Sequence, residues 1–149
     1  MTDARTPTTA FVLGGGGVLG AVEVGMLRAL LERDIRPDLV LGTSVGALNG
    51  AMVARDPSLA VIDRLIDLWH SAGETGDVYG DRPLAAVRRA MTSRTHISSA
   101  EPLKDRLRAE LDDVIFEELP VTFQVCAASI ERAAEHWFTS GPVVDAVIA

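Results

Sequence analysis

The sequence has little of what several classes of protein require. Its single cysteine, Cys126, excludes an internal disulfide framework. Because Cys126 lies in an apolar run, we expect a buried, inert thiol rather than a reactive one. The chain's net charge of -7 argues against a nucleic-acid surface, which needs a basic footprint, and provides no long-range attraction to an anionic membrane. No apolar run approaches the roughly 18–20 residues of a membrane span, and residues 1–7 lack a signal-like apolar stretch. We therefore expect one soluble, cytoplasmic domain over residues 1–149 with no nucleic-acid partner.

Apolar runs alternate between strand-like and helix-like patterns along the chain. Short runs at 8–13, 38–41, 121–128 and 135–139 predict buried strands. Helical spacing predicts helices at 18–31, 45–54, 57–73, 83–91 and 102–111. The first of these helices is apolar on most of its circumference, so we expect it to pack between other layers. This order of elements predicts an α/β domain with a largely parallel sheet and ligand chemistry at the carboxyl ends of the first two strands.

Residues 42–46 read Gly-Thr-Ser-Val-Gly and lie between a predicted strand and a predicted helix. We call this segment the serine turn. In a G-x-S-x-G pattern the serine occupies a strained turn, and the flanking glycines, here Gly42 and Gly46, allow neighbouring backbone to approach closely. This context favours Ser44 as a nucleophile over an ordinary turn serine.

A serine hydroxyl becomes a good nucleophile only when a base accepts its proton, and that base is usually a histidine oriented by a carboxylate. The chain has three histidines, His70, His96 and His136. None occurs in a setting that is typical of a catalytic base. A conventional Ser-His-Asp hydrolase is therefore disfavoured, and it is disfavoured further because only one predicted strand precedes the serine turn.

Residues 14–20 read Gly-Gly-Gly-Gly-Val-Leu-Gly and open a predicted helix. We call this segment the glycine turn. Its successive N–H groups at a helix N-terminus favour an anion, such as the oxyanion formed during acyl transfer. The segment also fits the G-x-G-x-x-G dinucleotide pattern, but the second strand ends in the serine turn where the ribose-binding acid is required, and Asp38 is at its other end. A P-loop is excluded because Ala21 and Val22 follow Gly20. Close packing alone remains an alternative.

With these motifs the chain resembles the patatin-like phospholipase family. The resemblance rests on the glycine turn and the Ala-Val-Glu-Val-Gly-Met-Leu segment after it, and on the serine turn. It continues in Phe-Glu-Glu-Leu-Pro at 116–120 and Ser-Gly-Pro at 140–142, so that it spans nearly the whole chain. Val18 departs from the pattern, because many members carry arginine or lysine after the glycines.

The resemblance implies a three-layer α/β/α sandwich with a mostly parallel central sheet and a hydrolase of lipid or fatty-acyl esters. It implies a serine–aspartate dyad without catalytic histidine, and neither cofactor nor metal. By position, Ser44 would be the nucleophile, and the N–H groups of Gly15, Gly16 and Gly17 would form the oxyanion hole.

The family's aspartate lies in an Asp-Gly-Gly or Asp-Gly-Ala motif, but this sequence contains no Asp-Gly dipeptide, and Asp145 does not match the motif. We therefore interpret the chain as the N-terminal portion of the fold, ending before its base. On this interpretation the incomplete sheet edge could drive self-association. Three functions stay open: a serine lipid hydrolase with peripheral membrane contact, an inactive module that binds lipid or a partner chain, and, least favoured, a dinucleotide-binding module.

Overall fold

The computed structural model describes residues 9–74, 101–111 and 114–149. Every predicted element in these ranges forms within two residues of its predicted bounds, whereas the helix predicted at 83–91 lies outside them. The strands are β1 (Ala10–Leu13), β2 (Leu39–Gly42), β3 (Thr122–Ser129) and β4 (Ala134–Phe138). The helices are α1 (Gly20–Leu31), α2 (Val45–Arg55), α3 (Leu59–Glu74), α4 (Glu101–Leu111) and α5 (Val143–Ile148).

The four strands form one mixed sheet in the order β1-β2-β3-β4. The pairs β1–β2 and β2–β3 are parallel, and β4 is antiparallel to β3. Leu13 lies beside Gly42 in the register, so the carboxyl ends of β1 and β2 meet at one edge. Helices flank this sheet, which confirms the predicted α/β class and the mostly parallel sheet. The register also brings the glycine turn and the serine turn to the same edge.

Helix α2 packs closely on one face of the sheet because its residues are small. Ala47 and Ala51 are fully buried. At Gly50 an added Cβ would lie 2.9 Å from Cε2 of Phe123 and 3.0 Å from Cγ1 of Val40, so the helix backbone almost touches the strand side chains. The helix that follows Ser44 is therefore held firmly against the two central strands.

The expectation that α1 packs between two layers is wrong for the described part of the chain. One side of α1 is buried, with Val24, Leu27 and Leu31 in the core. The other side carries Val22 and Met26, whose side chains are 60% and 63% exposed. Helix α1 lies against α2 and α3, so only one of its faces is covered there.

Helix α3 begins at Leu59, two residues after the predicted start at Pro57. The carboxylate of Asp56 accepts a hydrogen bond from Nη2 of Arg64 at 2.6 Å. Hydrogen bonding from Ser58 is the main cause that lowers the pKa of Asp56, and Arg64 adds to it. The turn before α3 is therefore held by Asp56.

Two leucines of α3 test the amphipathic packing of this helix. Leu65 is 0% exposed in the core, whereas Leu59 is 48% exposed at the start of the helix. We expect Leu65→Ala to lower the free energy of unfolding by about 2–5 kcal/mol, because it leaves a cavity. We expect Leu59→Ala to change it by less than about 0.5 kcal/mol. Urea unfolding of both variants measures the difference, and equal losses would contradict the buried face assigned to α3.

Candidate active site

Ser44 lies at the sharp junction between β2 and α2. Its backbone has φ 53° and ψ -126°, a positive φ that side-chain-bearing residues rarely adopt. Such a conformation costs on the order of 1–3 kcal/mol and persists only where the surrounding structure enforces it. Here the N–H groups of Ala47 and Leu48 donate to the Ser44 carbonyl oxygen at 2.9 and 3.2 Å. Ser44 itself is exposed, so the strained turn leaves it accessible.

The two glycines that flank Ser44 are required by close backbone contacts. A Cβ added at Gly42 would lie 2.6 Å from Cα of Ala47, at the start of α2. A Cβ added at Gly46 would overlap the carbonyl group of Leu13 and lie 2.6 Å from the carbonyl oxygen of Gly14. The start of α2 is therefore pressed against the end of β1 with no room for a side chain.

The glycine turn passes directly beside Ser44. The Cβ position built on Gly15 lies 3.4 Å from Cβ of Ser44, and the N–H of Thr43 donates to the Leu13 carbonyl at 3.2 Å. Within the described ranges, no hydrogen bond uses the N–H groups of Gly15, Gly16 or Gly17. The two turns that the sequence singled out are thus neighbours, with free backbone donors on one and an exposed hydroxyl on the other.

The glycine turn does not run straight into an α-helix. Residues Gly17–Leu19 form a single 3-10 turn, in which Gly17 has φ 57° and the N–H of Leu19 donates to the Gly16 carbonyl at 3.1 Å. Helix α1 then begins at Gly20, two residues later than predicted. The N–H groups of the preceding glycines are consequently presented by an irregular turn, for which the positive φ at Gly17 favours glycine.

Neither of the two histidines in the described ranges is hydrogen-bonded to the serine hydroxyl. His70 is exposed on α3, and the ring of His136 packs edge-on against Phe138 at a centroid distance of 4.5 Å. His96 lies outside the described residues. Asp145 is exposed on α5. No hydrogen bond in the described part of the chain joins Ser44 Oγ to a base, so the proton acceptor is not assigned to any of these residues.

Asn49 is a residue that the sequence reasoning missed. It is 0% exposed, on α2, and its amide nitrogen donates to the Gly20 carbonyl at 2.9 Å and to Oε2 of Glu23 at 3.0 Å. Its Oδ1 accepts a hydrogen bond from Nε1 of Trp69 at 3.1 Å. The sequence offered one signal that could have identified Asn49: it is an amide side chain, five residues after Ser44, in a helix of small and apolar residues.

An open cavity of about 540 Å³ lies next to the serine turn, between Thr43 and the β3–β4 hairpin. Thr43 Oγ1 donates to the Cys126 carbonyl at 2.9 Å at its border. Cys126 lines this cavity and is half-buried, so the expectation of a buried thiol is wrong. Ala127, Ala128 and Ser129 of β3 also line the cavity, and periodicity in the sequence did not reveal it.

The described ranges contain no group of three or more His, Cys, Asp or Glu side chains that could hold a metal ion. No helix in them is long and apolar enough to cross a membrane.

The fold and these two turns define a class: an α/β protein with an exposed serine in a strand–turn–helix junction beside a glycine-rich turn. The family model for patatin-like phospholipases matches residues 11–149. The chain therefore belongs to the patatin-like phospholipase family.

Individual relatives agree with this assignment. Patatin-like phospholipase domain-containing protein 7 of Mus musculus is 51% identical over 123 residues, which are 81% of this chain and 9% of the relative. An uncharacterized NTE family protein of Mycobacterium tuberculosis is 28% identical over 146 residues, 98% of this chain and 38% of the relative. A lysophospholipase of Aspergillus terreus is 51% identical over 49 residues, 33% of this chain and 3% of the relative. The chain thus spans well under half the length of each of these relatives.

Alanine substitution at two helical glycines tests the contact between α2 and β1. Gly46→Ala should lower the free energy of unfolding by about 3 kcal/mol, because its methyl group overlaps the backbone of Leu13. Gly25→Ala is the matched control, because nothing lies within 4 Å of the added Cβ. It should raise the free energy of unfolding by about 0.5–1 kcal/mol through helix propensity. Urea unfolding measures both, and a tolerated Gly46→Ala would show that the contact is not tight.

Proposed function

We propose that this chain carries the nucleophile and the oxyanion-binding turn of a serine hydrolase that acts on lipid esters. The observation that supports this most directly is the exposed Ser44, held at positive φ, with the backbone of Gly15 packed against it. Membership of the patatin-like phospholipase family supports the lipid-ester class of substrate. The serine mechanism is our inference from the geometry of the two turns.

In the proposed reaction Ser44 Oγ forms a bond to the ester carbonyl carbon, and the carbonyl π electrons move to the oxygen. N–H groups of Gly15, Gly16 and Gly17 donate hydrogen bonds to that oxyanion. Collapse of the tetrahedral intermediate breaks the bond to the alcohol, which leaves with a proton, and water then hydrolyses the acyl-serine. The proton of Ser44 passes first to a base, which the family resemblance identifies as an aspartate.

An uncharged, exposed strip next to the glycine turn supports a lipid substrate and contact with a lipid surface. The exposed residues are Val18 and Leu19 in the 3-10 turn and Val22 and Met26 on α1. Glu23, the acidic residue in this stretch, is half-buried and its carboxylate accepts a hydrogen bond from Asn49. The strip therefore presents apolar side chains beside the proposed site, as a surface that meets acyl chains would.

The alternative is an inactive module that binds lipid or a partner chain, including a second copy along the sheet edge. The absence of an Asp-Gly motif in the sequence favours it for residues 1–149 taken alone. It differs from the hydrolase in predicting lipid binding without ester turnover. A dinucleotide site has less support, because β2 ends at Gly42 without an acidic residue. A cytoplasmic location stays a prediction from the sequence.

A fluorophosphonate probe tests the nucleophile. We expect covalent labelling at Ser44, detected by mass spectrometry of the digested protein, and its loss in Ser44→Ala. Ser140→Ala removes another exposed serine and should label like the unchanged chain. Where the gene encodes residues after Ala149, the full-length product is the decisive form, because it can supply the base. No labelling of that product at Ser44 would overturn the hydrolase proposal.

Vesicle binding tests the apolar strip. We expect Met26→Glu to weaken binding to phosphatidylcholine vesicles by about tenfold or more, because it places a charge where the exposed methionine would contact acyl chains. Leu59→Glu introduces the same charge at an exposed leucine at the start of α3, and should bind like the unchanged chain. Sedimentation with vesicles measures both. Equal binding by the two variants would place the lipid contact elsewhere.

A further inference from the structure

Asn49 is the one buried polar side chain in the part of the chain that the structure describes. A side-chain amide offers two N–H donors and one carbonyl acceptor. Both ends are used here, since Nδ2 donates to the Gly20 carbonyl and to Glu23, and Oδ1 accepts from the indole of Trp69. Burying a polar group costs free energy unless its partners are all present. The complete set of partners therefore indicates that Asn49 fixes a particular arrangement of α1, α2 and α3.

The position of Gly20 gives that arrangement its significance. Gly20 is the last residue of the glycine turn and the first residue of α1. A Cβ on Gly20 would overlap the Trp69 ring, so Gly20 is enclosed between Trp69 and Asn49. The other end of the glycine turn, at Gly14, is held by its close contact with Gly46. Both ends of the turn are thus fixed on α2, the helix that begins immediately after Ser44.

We propose that Asn49 is a positioning residue, which holds the glycine turn at the correct distance and angle from Ser44. This inference rests on the proposed function, because it assigns Asn49 to the oxyanion site of that reaction. Ser44 immediately precedes the helix that carries Asn49. The hydrogen bond from Asn49 to the Gly20 carbonyl therefore fixes the position of the glycine turn relative to Ser44. Oxyanion donors act only when they are aimed before the charge develops. Without Asn49, the turn would keep its anchor at Gly14 and lose the one at Gly20.

A cysteine nucleophile allows a test that needs no aspartate. In a Ser44→Cys, Cys126→Ala parent protein, p-nitrophenyl acetate and iodoacetamide both react with the thiolate of residue 44. With the ester, sulfur bonds to the carbonyl carbon through an oxyanion, and p-nitrophenolate leaves with the bonding electrons. With iodoacetamide, sulfur displaces iodide from a methylene carbon and no oxyanion forms. The ratio of the two rates therefore reports the oxyanion site separately from thiol access and pKa.

We expect Asn49→Leu in this parent to lower the rate of ester acylation by about tenfold or more, as a displaced catalytic group would. The rate of alkylation should stay within about twofold. Asn49→Ala, which also removes the amide donors and adds no charge, should lower acylation in the same way, and it serves if Asn49→Leu does not fold. Met52→Ala, a buried truncation on the same helix, is the structural control and should leave the ratio of rates unchanged.

The outcomes separate the two hypotheses. If the parent acylates no faster than N-acetylcysteine, relative to alkylation, there is no oxyanion site and the proposed function fails together with this inference. If the parent acylates faster but Asn49→Leu and Asn49→Ala keep its ratio of rates, the hydrolase site stands and the positioning role is overturned. A fall in the ratio with Met52→Ala as large as that with Asn49→Leu would also overturn it, because general loosening of α2 would then explain the effect.

Discussion

The site depends on a close backbone contact between the start of α2 and the end of β1. Gly46 meets the carbonyl groups of Leu13 and Gly14 where no side chain would fit. This contact makes the two turns neighbours, and it requires the chain to leave β2 abruptly, which explains the positive φ of Ser44. Parallel pairing of β1 and β2 supplies the common edge. The arrangement of the candidate site is therefore a consequence of the sheet register and of glycines at the positions where the backbones meet.

Much of this was predictable because the relevant information is local. A strand-like run, glycines and a helix-like run occur twice, and each transition predicts its own element bounds. Helix α1 was misjudged because an apolar circumference shows that a helix can be buried, but not which face its neighbours cover. Asn49 was missed for a related reason: its partners on α1 and α3 are 20 to 29 residues away, and only packing brings them together. Cys126 was misjudged because strand periodicity does not reveal an open cavity beside a sheet.

In our proposal the chain supplies the nucleophile and the oxyanion donors of an acyl-transfer site, which also needs a base. Its described residues bring together an exposed hydroxyl and unengaged backbone N–H groups, whereas none of them is hydrogen-bonded to Ser44 Oγ as a base. Membership of the patatin-like phospholipase family over residues 11–149 supports the lipid-ester substrate of this proposal. The donors and the base contribute differently to such a reaction. The donors stabilise charge on the substrate, and the base raises the reactivity of the serine. A protein with donors alone would bind an oxyanion while reacting slowly.

The central claim is that the N–H groups of the glycine turn face the space in which Ser44 would react. A crystal structure of the protein with Ser44 phosphonylated by a fluorophosphonate tests it most directly, because the phosphonyl oxygen occupies the oxyanion position. Our account predicts that this oxygen lies within about 3.1 Å of N–H groups of Gly15, Gly16 or Gly17. A phosphonyl oxygen directed to solvent, with those N–H groups bound to other acceptors, would contradict it.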